Sequence, residues 1–200
     1  MCVRHGRTAW NGLRRFQGHS DIPLDAEGRA QASALAAHLR AERFDLAVAS
    51  DLSRARETAQ AILGERGPVL ETDPDFREMR FGTWEGLTWE QIVAAHPELA
   101  RDGEMRPKFY TPDGGESFDE LVDRVRRAFE RVIARLHDGE HALVVAHAGV
   151  LHAAMRVFLP DGAALEGRFV PASVTRFRSR EGGWMLAAYN ETAQPVTAPN

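Results

Sequence analysis

A three-layer α/β/α sandwich with a mainly parallel central sheet is the fold this sequence predicts, and three observations predict it. Short apolar runs of strand character alternate along the chain with stretches of helical period, the pattern that places helices on both faces of a parallel sheet. No internal repeat interrupts that alternation. The chain has 200 residues, enough for one compact domain to bury its own core without a disulfide or metal staple.

Cys2–Arg4 reads as a short first strand. Asp25 is placed to cap a helix from about Ala26 to Arg40. A strand near Leu46–Ala49, a helix from about Ser53 to Leu63 and a strand near Val69–Thr72 follow. Phe118, Leu121, Val122, Val125, Phe129, Val132, Ile133 and Leu136 recur at helical spacing and define a long helix from about Ser117 to Leu136. His137 then suits the end of that helix, where positive charge meets the dipole. A buried strand, Ala142–Ala146, leads into a helix from about Val150 to Phe158. Two late strands, near Val174–Arg178 and Trp184–Tyr189, flank a Gly182-Gly183 turn. Residues 1–191 are expected to form the single domain and 192–200 a loose tail.

The stretch 76–116 breaks the alternation. It carries Trp84, Trp89, Phe109 and Tyr110, a short helix near Thr88–His96, and turn residues at Pro107, Pro112, Gly114 and Gly115. It reads as an insertion folded over one end of the sheet, either a lid or an irregular connection.

Composition removes several function classes. A net charge of −4 argues against a general nucleic-acid binder. Lys108 is the only lysine and does not follow a glycine, so a P-loop is absent; Gly-x-Ser-x-Gly and Gly-x-Gly-x-x-Gly are absent too. The lone cysteine, Cys2, cannot bridge internally and suits a reduced compartment. No apolar run approaches the roughly 20 residues needed to span a bilayer, and no signal pattern opens the chain. The expectation is a soluble, cytoplasmic protein without membrane or nucleic-acid partners, with a homodimer as the default assembly. Among the histidines only His137/His141 and His147/His152 approach ligand spacing, so no metal is expected.

Chemistry converges on three strand ends. The first strand runs into Arg4-His5-Gly6, the second into Ser50-Asp51-Leu52-Ser53-Arg54, and the buried strand into His147-Ala148-Gly149. In a parallel sheet these ends open on one edge, where ligands bind in open α/β folds. Two arginines and two histidines crowded there repel one another unless they surround a strong anion, and the planar guanidinium fork matches phosphate. Gly6 and Gly149 allow close backbone approach, and helix N-termini at these turns aim N–H groups at an anion.

The same residues carry a family resemblance. Arg4-His5-Gly6-x-Thr8, Trp10-Asn11, Phe16-Gln17-Gly18 and Asp21-x-Pro23-Leu24 resemble the histidine phosphatase superfamily, also called phosphoglycerate mutase-like. The likeness continues through Gly28-x-x-Gln31-Ala32, Ser50-Asp51-Leu52-x-Arg54-Ala55-x-x-Thr58-Ala59 and Arg77-Glu78-x-x-Phe81-Gly82-x-Trp84-Glu85-Gly86. Gly114-Gly115-Glu116-Ser117 and Val145-Ala146-His147-Ala148-Gly149 complete it, in order, over nearly the whole chain. The resemblance implies that His5 is a nucleophile forming a phosphohistidine. It implies that Arg4, Arg54 and His147 bind the phosphoryl oxygens, and that Glu78 is the general acid and then base, with Glu85 its rival. Asn11, Gln17 and the Ala148 N–H are implied as further oxygen contacts. Arg7 departs from the acidic residue or Gln of many relatives, and either rims the cleft or is solvated.

The function expected is a metal-independent phosphomonoesterase, without a cofactor, acting on a small phosphorylated metabolite. Within enzymes the rival is a cofactor-dependent phosphoglycerate mutase; outside them it is a catalytically inactive scaffold that binds phosphorylated ligands. His19, beside Gln17-Gly18, is a candidate for substrate selectivity, as are Arg101, Arg106, Lys108, Phe109 and Tyr110 in the insertion.

Overall fold

The structure is a computed structural model that describes residues 1–102, 110–159, 168–181 and 183–193. Strands β1 (Cys2–Arg4), β2 (Leu46–Ala49), β3 (Leu70–Thr72), β4 (Ala142–Ala146), β5 (Ser173–Arg180) and β6 (Gly183–Thr192) form one sheet in the order β3-β2-β4-β1-β5-β6. The first four strands are mutually parallel, while β5 runs antiparallel to β1 and β6 antiparallel to β5.

Strands buried on both faces explain the near-continuous apolar runs. Leu46, Val48, Ala142, Val144 and Cys2 point to one face, where α5 (Phe118–Ile133) and α6 (Ala148–Phe158) supply Leu121, Val125, Phe129 and Leu151. Ala47, Ala49, Leu143, Val145 and Val3 point to the other, packing on α2 (Ala26–His38) and α3 (Ser53–Leu63) through Leu35, Ala55 and Ala59. The alanines on this second face bring α3 close to the sheet, and with it Arg54. Leu121, Leu143 and Leu151 are essentially inaccessible, and truncating any to alanine costs about 2–5 kcal/mol.

Asp25 caps α2 as expected, accepting from the Gly28 N–H at 2.7 Å. A short helix, α1 (Ala9–Gly12), was not expected; Thr8 and Asn11 close it with a capping box. The insertion contains α4 (Trp89–Ala95) and packs Trp84, Ile92 and Leu99 into a small core of their own, with Phe16, Phe81, Trp89 and Tyr110 against it. Trp84 and Trp89 are therefore packing residues. The two stems of the insertion are joined where the Glu116 N–H donates to the Arg80 carbonyl and the Thr83 N–H to that of Asp113, both at 3.0 Å.

Four boundaries need correction. The long helix stops at Ile133, so His137 is not at its end; its N–H instead bonds Glu140 in the following turn at 2.9 Å. α6 begins at Ala148, directly after His147. The late hairpin is longer than expected, because polar residues beyond the apolar runs, such as Arg180 and Glu191, also pair. Thr192, assigned to the tail, pairs with Ser173; positions 194–200 lie outside the described residues. Among the described residues no helix is long and apolar enough to cross a membrane.

Candidate active site

The register places Arg4 opposite Ala146 and Ala49 opposite Val145, so β1, β2 and β4 end level with one another. His5, Arg54 and His147 follow those ends and converge. His5 and His147 lie with ring centroids 5.0 Å apart, and both are almost wholly buried.

Each ring has its tautomer set by one bond. The Nδ1 of His5 lies 2.6 Å from the Gly6 carbonyl oxygen, which can only accept, so Nδ1 carries the proton and Nε2 keeps a free lone pair. At His147 the order is reversed. Its Nδ1 accepts from Arg54 Nε at 3.3 Å, so Nε2 is the N–H, and this buried atom has no partner among the described residues. The Nε of Arg4 is likewise buried without a partner among them, while its Nη1 donates to the Phe169 carbonyl. Buried donors left without a partner call for an explanation, and a bound ion is one.

Arg54 is fully buried, and one N–H from each Nη braces the preceding loop, reaching the carbonyls of Ser20 at 2.8 Å and Gly18 at 2.9 Å and leaving a second N–H on each. Gly18 has φ +53°, and a side chain there would run into the Glu85 carboxylate. Glu85 itself accepts from the N–H groups of His19 and Ser20, each at 2.9 Å, and from Ser20 Oγ at 2.6 Å. Glu85 thus braces the loop that carries His19 and Ser20. Asn11 and Gln17 meet through Thr8, whose hydroxyl lies 3.1 Å from Asn11 Oδ1 and 3.0 Å from Gln17 Oε1. Both amides thus keep their NH₂ groups for other acceptors.

Glu78 borders the same cleft from the insertion. Its Oε1 accepts from the N–H groups of Met79 at 2.8 Å and Gly149 at 3.0 Å, next to Ala148 at the start of α6. Burial pushes its carboxyl above the ordinary range, against the lowering effects of the Met79 N–H, Arg54 and Arg4. Burial, then Arg54 and other site cations, hold His5 and His147 well below the usual histidine range. Burial likewise pushes Arg4 and Arg54 down to about 10, so both stay cationic at neutral pH. The result is two neutral imidazoles, two fixed cations and a carboxyl biased toward its protonated form.

The remaining predicted residues divide. His19 approaches through its Nε2, 3.0 Å from the Glu78 carbonyl. Arg7 does not rim the cleft as a free charge, because it pairs with Asp25 at 2.7 Å and with Glu27. Tyr110 joins the small core of the insertion. Arg106, Lys108 and Phe109 lie outside the described residues, and so does the side chain of Arg101.

The sequence profile of the histidine phosphatase superfamily (branch 1) matches residues 1–192. The chain belongs to this superfamily. It is 36% identical over 197 residues to phosphoglycerate mutase-like protein 4 of Arabidopsis thaliana, covering 96% of this chain and 85% of that one. It is equally 36% identical to a metal-independent phosphoserine phosphatase of the same plant, over 96% and 81% of the two chains. Its fold matches that of a mycobacterial glucosyl-3-phosphoglycerate phosphatase complexed with VO3, with a TM-score of 0.86, 32% identity, and coverage of 96% and 98%.

Some residues that shape this superfamily site were not anticipated. Thr58 accepts from the Gly6 N–H at 3.0 Å and donates to the Arg54 carbonyl at 2.7 Å, tying two strand ends together. Arg124 sits beneath Glu78, and its signal was a charge bordering the apolar stripe of α5. Arg168 lies close enough to Arg4 for its charge to add to the lowering there; no motif marked it.

Proposed function

We propose that this member of the superfamily is a phosphoric monoester hydrolase, working through His5 on small phosphorylated metabolites. The observation that carries the reading is the His5–Gly6 bond, because it leaves Nε2 unprotonated within a site of cationic donors. Nε2 attacks phosphorus, the ester P–O bond breaks, and Glu78 gives its proton to the departing alkoxide. Water then attacks the phosphohistidine, returning a proton to Glu78 and releasing His5. Arg4, Arg54 and the Nε2–H of His147 take the phosphoryl oxygens, assisted by Asn11, Gln17 and the Ala148 N–H. Charge neutralisation is assigned to arginines, so no step needs a metal or cofactor; a relative named as a metal-independent phosphatase accords with this.

The named relatives act on phosphoserine and on glucosyl-3-phosphoglycerate, both phosphate esters that also bear a carboxylate, and such compounds lead the substrate panel. The insertion serves as a lid within a single domain, and His19 contributes to selectivity; Arg106, Lys108 and Phe109 complete that assignment. The protein is taken to be cytoplasmic and, by default, a homodimer.

The decisive experiment is phosphate release from that panel in the presence of EDTA, with rapid quenching to trap an acid-labile, base-stable phosphoenzyme. Both are expected in the native protein and neither in His5→Ala. A mutase is the second reading, favoured by the name of one relative. Isomerisation of bisphosphate-primed phosphoglycerate faster than phosphate release would transfer the assignment to it. A folded protein inert across pH 4–8 would instead be a scaffold.

A further inference from the structure

Arg124 leaves the apolar stripe of α5 and turns its guanidinium under the turn that carries Glu78. Its Nη1 donates to the carbonyls of Asp75 at 2.7 Å and Arg77 at 2.8 Å, and its Nη2 to that of Glu78 at 2.8 Å. Glu116 takes the remaining edge, with Nε to Oε2 at 3.0 Å and Nη2 to Oε1 at 2.5 Å. Both side chains are nearly inaccessible, at 11% and 9%. Glu116 also accepts from the Arg80 N–H at 2.7 Å, so the pair holds the chain on either side of Glu78.

Burying such a pair is costly and seldom stabilises a fold relative to apolar residues of similar size. What this pair provides is geometry. Three carbonyls around Glu78 converge on one planar fork, a pattern that lysine's point charge cannot reproduce. His19 bonds the same Glu78 carbonyl from the other side, and the carboxyl end rests on the Gly149 N–H. Glu78 is thus fixed at both ends, and a general acid must stand within about 2.6–3.2 Å of the atom it protonates.

We propose that Arg124, held by Glu116, is a positioning residue that aims Glu78 for proton transfer. The proposal rests on Glu78 being the acid. A misplacement of 1 Å is enough to lose about 10²-fold in rate.

Arg124→Ala strands a buried carboxylate and endangers the fold, so two milder changes are used. Arg124→Lys keeps a charge opposite Glu116, and Arg124→Met with Glu116→Gln removes both charges together. The readout is kcat across phosphate esters of graded leaving-group pKa, with folding checked by circular dichroism. Alkyl phosphates are expected to slow by about 10–100-fold, nitrophenyl phosphate far less, and KM to stay level. In a Glu78→Gln background the same changes should cost little more. Equal losses on both ester classes, or full additivity with Glu78→Gln, would overturn the positioning role while leaving the acid in place. A Glu78→Gln enzyme without leaving-group selectivity would overturn the acid assignment itself, and this role with it.

Discussion

The Nε of Arg54 donates to Nδ1 of His147 across 3.3 Å, in a place where neither side chain is reached by solvent. An imidazole that accepts from a guanidinium cannot take a second proton at that nitrogen. His147 is therefore held neutral, as is His5 beside it, and this makes folding sensitive to acid.

Both histidines titrate below their ordinary value near 6.5 in the folded protein, through burial first and Arg54 second. On acidification the unfolded chain takes up protons before the folded one does. Their contribution is full above about pH 6.5 and is lost below it, at up to about 1.4 kcal/mol per pH unit for each ring. Glu78 acts in the opposite sense, since its carboxyl is raised and the folded form protonates first. Urea unfolding of Glu78→Gln from pH 7.5 to 5.5 reads this slope, to which the buried Met1 amino group and His19, both lowered by burial, also add. Stability should fall with pH, and adding His147→Asn should reduce the slope; an unchanged slope contradicts the buried neutral ring.

Glu78→Gln should slow alkyl phosphates by about 10²–10⁴-fold, the usual worth of general acid catalysis. Nitrophenyl phosphate, whose leaving group needs little protonation, should suffer less. Steady-state kinetics on both esters decides the matter, and equal losses would speak against Glu78.

Gly149→Ala separates function from stability. A Cβ there would sit 2.2 Å from Glu78 Oε1, yet alanine is favoured over glycine within a helix by about 1 kcal/mol. The end of a glutamate side chain can yield where backbone cannot. Melting temperature should therefore change by only a few degrees, while kcat on alkyl phosphates falls by about 10–100-fold. Unaltered kcat would show that the carboxyl has no need of its seat on α6.

Orthovanadate, an anion of phosphate shape, should relieve the crowding of Arg4, Arg54 and the two rings. At 100 times its Kd it should add about 2.7 kcal/mol and raise Tm by roughly 5–10 °C. Arg54→Met should lower the basal Tm, because the Gly18 and Ser20 carbonyls lose their donor, and should also abolish the vanadate shift. A shift that survives in Arg54→Met places the anion elsewhere.

Much of this was legible in the sequence. Short continuous apolar runs and helical spacing indicated the sheet and its flanking helices: Val144 and Val145 belong to a run buried on both faces, and Leu121 and Val125 recur at helical spacing. Arg4, His5 and His147 were legible because each ends or directly follows a strand, and Arg54 because it opens the helix after β2. The supports were less so. Arg124 looks like any charge on a surface helix until its carbonyl partners, 46–49 positions earlier, are brought beneath it. Glu85 and Glu78 are both glutamates in one motif, and the loop-bracing bonds of Glu85 to His19 and Ser20 join stretches more than 60 residues apart in sequence. The hairpin ends were misjudged because Arg180 and Glu191 are polar yet still pair.

The unpartnered Nε of Arg4 and Nε2 of His147 carry a kinetic consequence. Donors placed for a tetrahedral oxyanion also accept the liberated orthophosphate, which competes with fresh ester for the same seat. Throughput is therefore expected to fall as free phosphate accumulates around the enzyme.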